Sequence, residues 1–558
     1  RRPPRSTLFP YTTLFRSSQI ALVAEVLDFY MNKRIGLENI NLNGEINKSS
    51  KECEKIINKF FEAENENYYQ KMNFIKILSL QFKKFTENIY FNISNNDNNI
   101  FQLNTIINVR PIIISNLISL TKIFTKSPFD TILLRQNENK IYYDKIKEDK
   151  AKEEEIEILA DENNKQEIFS FEDIRPPLVF INGDGQSLSI ISNEKENEFL
   201  RIMWNLENKK ILNMNYDQLF EIAKYDKTNK ILNNLIDYKN LSHEQFLEQI
   251  KKVFDLKKLS IEDLKKICEK LGNYIFVSDN FIKMIRILLN IQAKIPVILM
   301  GETGVGKTKL LEMLATLYGK GKNNWEKLNI HAGITDLKIK EFIDKITKKY
   351  NDKENKDEIV WIFFDEINTC NSLGLITEIF CFHSYLGKKI NDNFIFLGAC
   401  NPYRIITKKM KDSGLIYYNN KDKNELSNLV YTVNPLPHSL LNFIFDFGSL
   451  KPEDEKKYIN NAIIDTLKRL KEKNVISDFC NNKDELDKIQ KDIIESIVIC
   501  HNFMRDKIDK SSVSLRELNR FNTFFEYFIK YFKVKDKDTL KKSLNMKKSK
   551  FMLLFKIK

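Results

Sequence analysis

Ile295-Pro-Val-Ile-Leu-Met-Gly301-Glu-Thr-Gly304-Val-Gly306-Lys307-Thr308 is the stretch on which the fold turns. Its first half is an apolar, largely β-branched run, the composition of a strand buried on both faces of a parallel sheet. Its second half fits GxxxxGK[ST], and the apolar residues Leu310, Leu311, Met313 and Leu314 continue it as a helix. The pattern therefore stands in the strand–loop–helix context it requires. Glycines let such a loop wrap with its N–H groups inward, and the start of the helix adds a field that favours an anion. Gly301, Glu302, Thr303, Gly304, Val305, Gly306, Lys307 and Thr308 are the candidate phosphate-binding residues for ATP. In that arrangement Lys307 bridges the β- and γ-phosphates and the Thr308 hydroxyl holds Mg²⁺.

Two further apolar runs extend the pattern. Ile359-Val-Trp-Ile-Phe-Phe364 ends in Asp365-Glu366, which delivers two carboxylates to the carboxyl edge of the sheet, where open α/β sheets bind their ligands. Asp365 is the candidate metal ligand, and Glu366 the candidate catalytic base for an attacking water. The competing reading is a helix start that simply favours acids. Phe394–Leu397 runs into Gly398-Ala-Cys-Asn401-Pro402. Asn401 at that edge is positioned to orient the water or touch the γ-phosphate, unless it serves only as a turn-forming Asn-Pro. Further on, Ser511-Ser-Val-Ser-Leu-Arg516 opens a helix whose first-turn Arg516 reaches a phosphate from above or faces solvent. His331, after a short strand Leu328–Ile330, reads as a loop histidine. Arg404 acts in trans on a neighbouring site or forms a surface ion pair.

Outside this core the chain reads mostly helical. Ser278-Asp279 is expected to cap a helix with the apolar face Phe281, Ile282, Ile285, Leu288 and Leu289. Arg175-Pro-Pro-Leu-Val-Phe-Ile-Asn-Gly-Asp-Gly185 gives a proline stop, one short strand and a turn, and from Pro435 to Phe532 the pattern is again helical. The expected division is 1–17 outside the fold, 18–135 helical, 136–170 a charged linker carrying Glu153-Glu154-Glu155, and 171–265 linker and helix. After these come a large α/β part at 266–450, a helical lid at 451–535 and a basic tail at 536–558. Arg1–Ser17, RRPPRSTLFPYTTLFRS, differs sharply in composition from the residues after Ser17 and resembles the translated read-through of a sequencing adapter. The chain is accordingly expected to be a fragment of a longer protein.

Composition narrows the function classes. A 42% hydrophobic content over 558 residues is enough for packed cores and excludes a wholly disordered chain. The 89 Lys+Arg against 76 Asp+Glu give a net charge of +13, but Lys, Asn, Ile and Phe are abundant throughout. That is a background bias, with no interleaving of basic and aromatic residues to support nucleic-acid binding. The 7 cysteines, with no CxxC pair and only 5 histidines, argue against a zinc module or a disulfide framework and for a reducing, cytoplasmic setting. No apolar run reaches the roughly 18 residues that a membrane-spanning helix needs.

The order of phosphate loop, Asp-Glu strand, strand-end Asn and helical-tail Arg resembles the AAA+ ATPase plan: an α/β P-loop sheet sandwiched by helices, with a C-terminal helical lid and here an N-terminal, mostly helical arm. In wording the chain resembles the mysterin family, giant ring-finger ubiquitin ligases with a dynein-like AAA+ core. The matching strings include Tyr274-Ile-Phe-Val-Ser-Asp-Asn-Phe281, Leu328-Asn-Ile-His-Ala-Gly-Ile-Thr335 and Phe363-Phe-Asp-Glu-Ile-Asn-Thr369. Ala399-Cys-Asn-Pro-Tyr-Arg404, Pro435-Leu-Pro437, Asp446-Phe-Gly448 and Val513-Ser-Leu-Arg516 complete them. The resemblance implies one AAA+ unit of several in a parent chain, partnered by neighbouring units that supply an arginine finger. It implies ubiquitin transfer for the parent only, through modules absent here. A nucleotide-held structural switch with little turnover, and a dynein-like or ribosome-remodelling motor, are the alternative expectations.

Overall fold

The apolar runs form one parallel sheet. The computed structural model describes residues 18–32, 48–62, 67–87, parts of 114–125, 178–181, 188–191, 241–271, 274–320, 324–351, 359–404, 429–448, 452–472, 483–507 and 513–532. The expected segments 1–17, 136–170 and 536–558 lie outside these. Among the described residues the first elements are helices α1 (Ser18–Met31), α2 (Ser50–Phe60) and α3 (Tyr68–Glu87), strands β1 (Leu178–Ile181) and β2 (Leu188–Ile191), and helices α4 (His243–Val253) and α5 (Ile261–Lys270). β1 and β2 pair antiparallel, so the one strand expected after Pro177 has a partner. The short run Leu-Ser-Ile-Ile is too brief to announce itself by period.

The sheet is built from β3 (Val297–Met300), β4 (Trp325–Asn329), β5 (Val360–Asp365), β8 (Phe394–Cys400) and β9 (Ile444–Asp446), in the spatial order β4-β5-β8-β3-β9. All four neighbouring pairs are parallel. Helices α6 (Ser278–Gln292), α7 (Lys307–Tyr318), α8 (Asp336–Asn351), α9 (Leu373–Phe382) and the short α10 (His438–Leu441) connect or flank the strands. A two-stranded hairpin, β6 (Ser384–Tyr385) with β7 (Lys388–Lys389), precedes β8. Trp361, Phe363, Phe364 and Phe396 are fully buried, as strands covered on both faces require.

Two expectations are corrected. α6 does begin at Ser278, but its N-cap is Val277 and no side chain caps it. Asp279 is instead buried in an ion pair with Lys283, one turn along the same helix. The stretch from Pro435 onward, expected to be helical, contains the edge strand β9, which pairs with β3 from Ile444 to Asp446. Three residues cannot show a period, so only the tertiary pairing reveals this strand.

Helices α11 (Pro452–Glu472), α12 (Lys483–Lys507) and α13 (Leu515–Phe532) form a bundle with its own apolar core, including Ile459, Ile463, Ile493, Ile497, Leu518 and Phe521. Within it the buried Glu455 carboxylate accepts two hydrogen bonds from Arg505, at 2.6 and 2.7 Å, and lies 2.9 Å from His501 Nδ1. Burial alone would raise this carboxyl, but the His501 and Arg505 bonds outweigh it and hold it down at about 2. Its contribution to stability is therefore complete above the ordinary carboxylate range and is lost as pH falls through about 2. We expect the bundle's melting temperature to fall between pH 4.5 and 2, and Glu455→Gln to flatten that slope while costing about 1–3 kcal/mol at neutral pH. Thermal melts followed by circular dichroism on both chains check this; equal slopes would remove Glu455 as the titrating group.

Candidate functional site

At the carboxyl end of β3 the chain turns through Gly301–Gly306 into α7. Gly304 (φ +78°) and Gly306 (φ +97°) adopt left-handed backbone that L side chains rarely enter, and Gly306 is the N-cap of α7. The turn brings Lys307 back over its own loop. Its Nζ donates to the carbonyl of Gly301 and, at 2.8 Å, to that of Glu302. Lys307 is 9% exposed, and burial pushes its ammonium pKa down. A desolvated cation held by two loop carbonyls would favour an anion beside it.

The acids reach this loop from β5, although β8 lies between β5 and β3. Thr308 Oγ1 donates to Asp365 Oδ2 at 3.4 Å. These two hard oxygen donors suit Mg²⁺, which is commonly held by one or two protein oxygens together with phosphate and water. Among the described residues no group of three or more His, Cys, Asp and Glu gathers to hold a metal without such help. The same Asp365 oxygen lies 2.8 Å from Lys327 Nζ on β4, a counter-charge that the sequence did not single out. Glu366 comes next in left-handed backbone (φ +56°), and its carbonyl caps the turn by accepting from Thr369 N–H at 3.0 Å. A non-glycine residue held there carries local strain of the kind that gathers at functional sites.

Asn401 is buried at the end of β8, beside the end of β5. Asn368 joins the two ends: its amide donates to Asn401 O at 2.8 Å, and its side-chain oxygen accepts from Asn401 N–H at 3.3 Å. Sequence reasoning assigned Asn368 no role; the only sign of it was its place in the Asp-Glu-Ile-Asn-Thr string. Arg516, the most remote candidate in sequence, also arrives at the loop. A Cβ placed on Gly304 would collide with Ser514 Oγ and lie 3.2 Å from Arg516 Cγ, so the start of α13 rests directly on the phosphate loop. Arg516 also acts electrostatically on Lys307, adding to the lowering caused by burial. The structure thus brings together the loop 301–308, Asp365, Glu366, Asn401 and Arg516 along one edge of the sheet.

The two remaining candidates are placed as well. His331 accepts from Gly333 N–H at 3.1 Å, as a loop histidine does. Arg404 forms an ion pair within its own chain, 3.0 Å from Glu302 of the loop.

Residues 274–404 match the family described as RNF213 AAA domain. The chain is 29% identical over 389 residues to E3 ubiquitin-protein ligase rnf213-beta of Danio rerio, covering 64% of this chain and 7% of that protein. It is 29% identical over 328 residues to E3 ubiquitin-protein ligase RNF213 of Homo sapiens (54% of this chain, 6% of that protein). For the Mus musculus protein of the same name the figures are 32% over 228 residues, 36% and 4%. The chain spans less than a tenth of the length of each of these relatives. No helix among the described residues is long and apolar enough to cross a membrane.

The contact between α13 and the loop is open to test. Gly304→Ala combines an unfavourable φ with a methyl group placed against Ser514, and should cost about 1–3 kcal/mol. We expect faster hydrogen–deuterium exchange confined to the loop and to Leu515–Phe532, with the sheet still protected. Unchanged exchange in α13 would mean that the helix does not rest on Gly304 in solution.

Proposed function

Since residues 274–404 form an AAA+ unit of the RNF213, or mysterin, type, we propose that this chain binds ATP with Mg²⁺ and hydrolyses it as one unit of a larger ring. The observation that carries the reading is the meeting of the Thr308 hydroxyl and the Asp365 carboxylate across an intervening strand, beside the buried Lys307. A hydroxyl and a carboxylate meeting there are the pair of oxygen donors that a metal on a triphosphate would use.

The residues then divide the work. Backbone N–H groups of 301–308 cradle the phosphates, and Lys307 exchanges its loop carbonyls for β- and γ-oxygens. Thr308 and Asp365 would hold Mg²⁺, which would supply positive charge against that developing on the phosphates. Glu366 accepts a proton from the attacking water. Asn401, fixed through its backbone by Asn368, orients that water or the γ-phosphate. Arg516 at the start of α13 touches the phosphates from the bundle side, which makes residues 451–535 a lid over the large part at 266–450. Catalysis of this kind is chiefly positioning and electrostatics. An arginine from a neighbouring unit would complete the site, and such a residue is worth roughly 10³–10⁵ in rate. Ubiquitin transfer, the activity printed in the names of the relatives, belongs in this proposal to the parent protein, in a cytoplasmic setting, through modules outside this chain.

We expect Lys307→Met to lower ATP affinity by about 10- to 100-fold, the loss of charge-assisted hydrogen bonds. Glu366→Gln should leave affinity nearly unchanged and slow phosphate release by about 10²–10⁴. Titration calorimetry and phosphate-release assays on the whole chain check both. ATP bound equally by the Lys307 variant, or hydrolysed at the parent rate by the Glu366 variant, would overturn the corresponding assignment.

A further inference from the structure

The phosphate loop carries a carboxylate of its own. Glu302 is a single residue beyond Gly301, and its carbonyl accepts from Lys307 Nζ at 2.8 Å, which places it at the end of the loop where Lys307 would meet the γ-phosphate. A negative side chain at that end repels the ligand that the loop is built to hold. The structure deals with this charge in a specific way. Arg404 lies 3.0 Å from Glu302 Oε1, and both side chains are largely shielded, 18% and 21% exposed. The Tyr431 hydroxyl donates to Glu302 Oε2. Tyr431 is tied in turn to Thr303 of the loop, and burial first, then the Glu302 charge, push its phenol well up, so it stays a donor. The ring closes through the backbone, where the Arg404 carbonyl accepts from Val430 N–H at 2.8 Å. The loop, the segment after Asn401 and residues 430–431 are thereby joined around one carboxylate.

We propose that Glu302 and Arg404 form a charge pair in cis that sets the preference of the loop between nucleoside triphosphate and diphosphate, with Arg404 as the positioning residue that cancels Glu302. The inference rests on the nucleotide reading above. Its logic is Coulombic. A triphosphate brings more negative charge to the Glu302 end than a diphosphate does, so a change in net charge there shifts triphosphate affinity further. Losing Arg404 exposes a carboxylate to the γ-phosphate. Losing the Glu302 charge leaves a cation beside it. Losing both restores neutrality. A residue with a purely structural role would not produce opposite signs.

The experiment measures MgATP and MgADP affinities by calorimetry on the whole chain and on Arg404→Gln, Arg404→Lys, Glu302→Gln and the Glu302→Gln/Arg404→Gln double variant. Expected is a fall of roughly 3- to 30-fold in the ATP-to-ADP affinity ratio for Arg404→Gln, and a rise of similar size for Glu302→Gln. The ratio should return to within about twofold of the parent in the double variant. Arg404→Lys, which keeps the cation, should stay near the parent. Glu302→Gln and Arg404→Lys preserve side-chain size, so these two carry the test should thermal melts show that Arg404→Gln unfolds. If the parent binds ATP and both single charge losses change the ratio in the same direction or not at all, the charge pair is overturned and the nucleotide site stands. If the parent binds neither nucleotide, both readings fall.

Discussion

A buried ammonium group with no ion pair of its own among the described residues is the constraint on which this structure depends. Lys307 cannot be left dry and unpartnered, and the loop answers by turning two carbonyls, those of Gly301 and Glu302, onto its Nζ. Two carbonyl dipoles are weaker company than a carboxylate, so the charge stays incompletely compensated and its pKa is pushed down. An arriving phosphate would supply the missing anion without any reorganisation of the sheet. With β8 set between β3 and β5, the loop after β3 and the acids after β5 leave a crevice between them, and the first residues of α7 span it, bringing Thr308 to Asp365.

The parts of the chain outside the sheet are tied to this edge and to the opposite one by buried polar contacts. At the lower edge the Arg286 guanidinium of α6 lies 4.3 Å from the centre of the Phe445 ring of β9 and donates to the carbonyl of Phe124 at 3.1 Å. Burial holds its pKa down to about 9, while the Asp446 carboxylate acts in the opposite direction. The Asn67 amide donates to Asn442 and Lys84 to Gln292, each at 2.7 Å, which docks the N-terminal helices on the same side. Near the upper edge, Tyr458 of α11 donates to Ile275 O at 3.1 Å and accepts from Asn280. The bundle is thus held both where the chain enters the α/β part and, through Ser514, at the phosphate loop. A shift of the loop has a direct mechanical path into α13.

Much of the sheet and of the site was legible in the sequence because their signals are local. A continuous apolar run such as Val360–Phe364 needs no partner to be recognised, and a glycine pattern between strand and helix carries its own geometry. What escaped was whatever depends on partners distant in the chain. β9 is three residues long and exists through pairing with β3. Lys327 looks like any exposed lysine until β4 lies against β5 and brings it to Asp365. Asp279 has the residue type and place of a helix cap, yet a buried lysine one turn on competes for its carboxylate and wins. Arg404 reads from sequence as acting in trans or forming a surface pair; the partner it has in the fold, Glu302, lies in a loop about a hundred residues earlier.

Asn368 shows how these separate edges act as one. It is 2% exposed, and its side chain forms a two-point bond with the backbone of Asn401, while its own carbonyl accepts from Asn434 N–H at 2.7 Å. An amide so placed has no freedom to reorient without leaving buried groups unsatisfied. It therefore locks the turn after Glu366 to the strand end at Asn401. Asn401 in turn lies three residues before Arg404, which grips the phosphate loop. The turn after Glu366, the strand end at Asn401 and the loop are linked in a circuit made of this buried two-point bond, three residues of chain and the part-buried Arg404–Glu302 pair. Such a circuit suits a site whose chemistry is positioning, where a displacement of one ångström at any corner would be felt at the others.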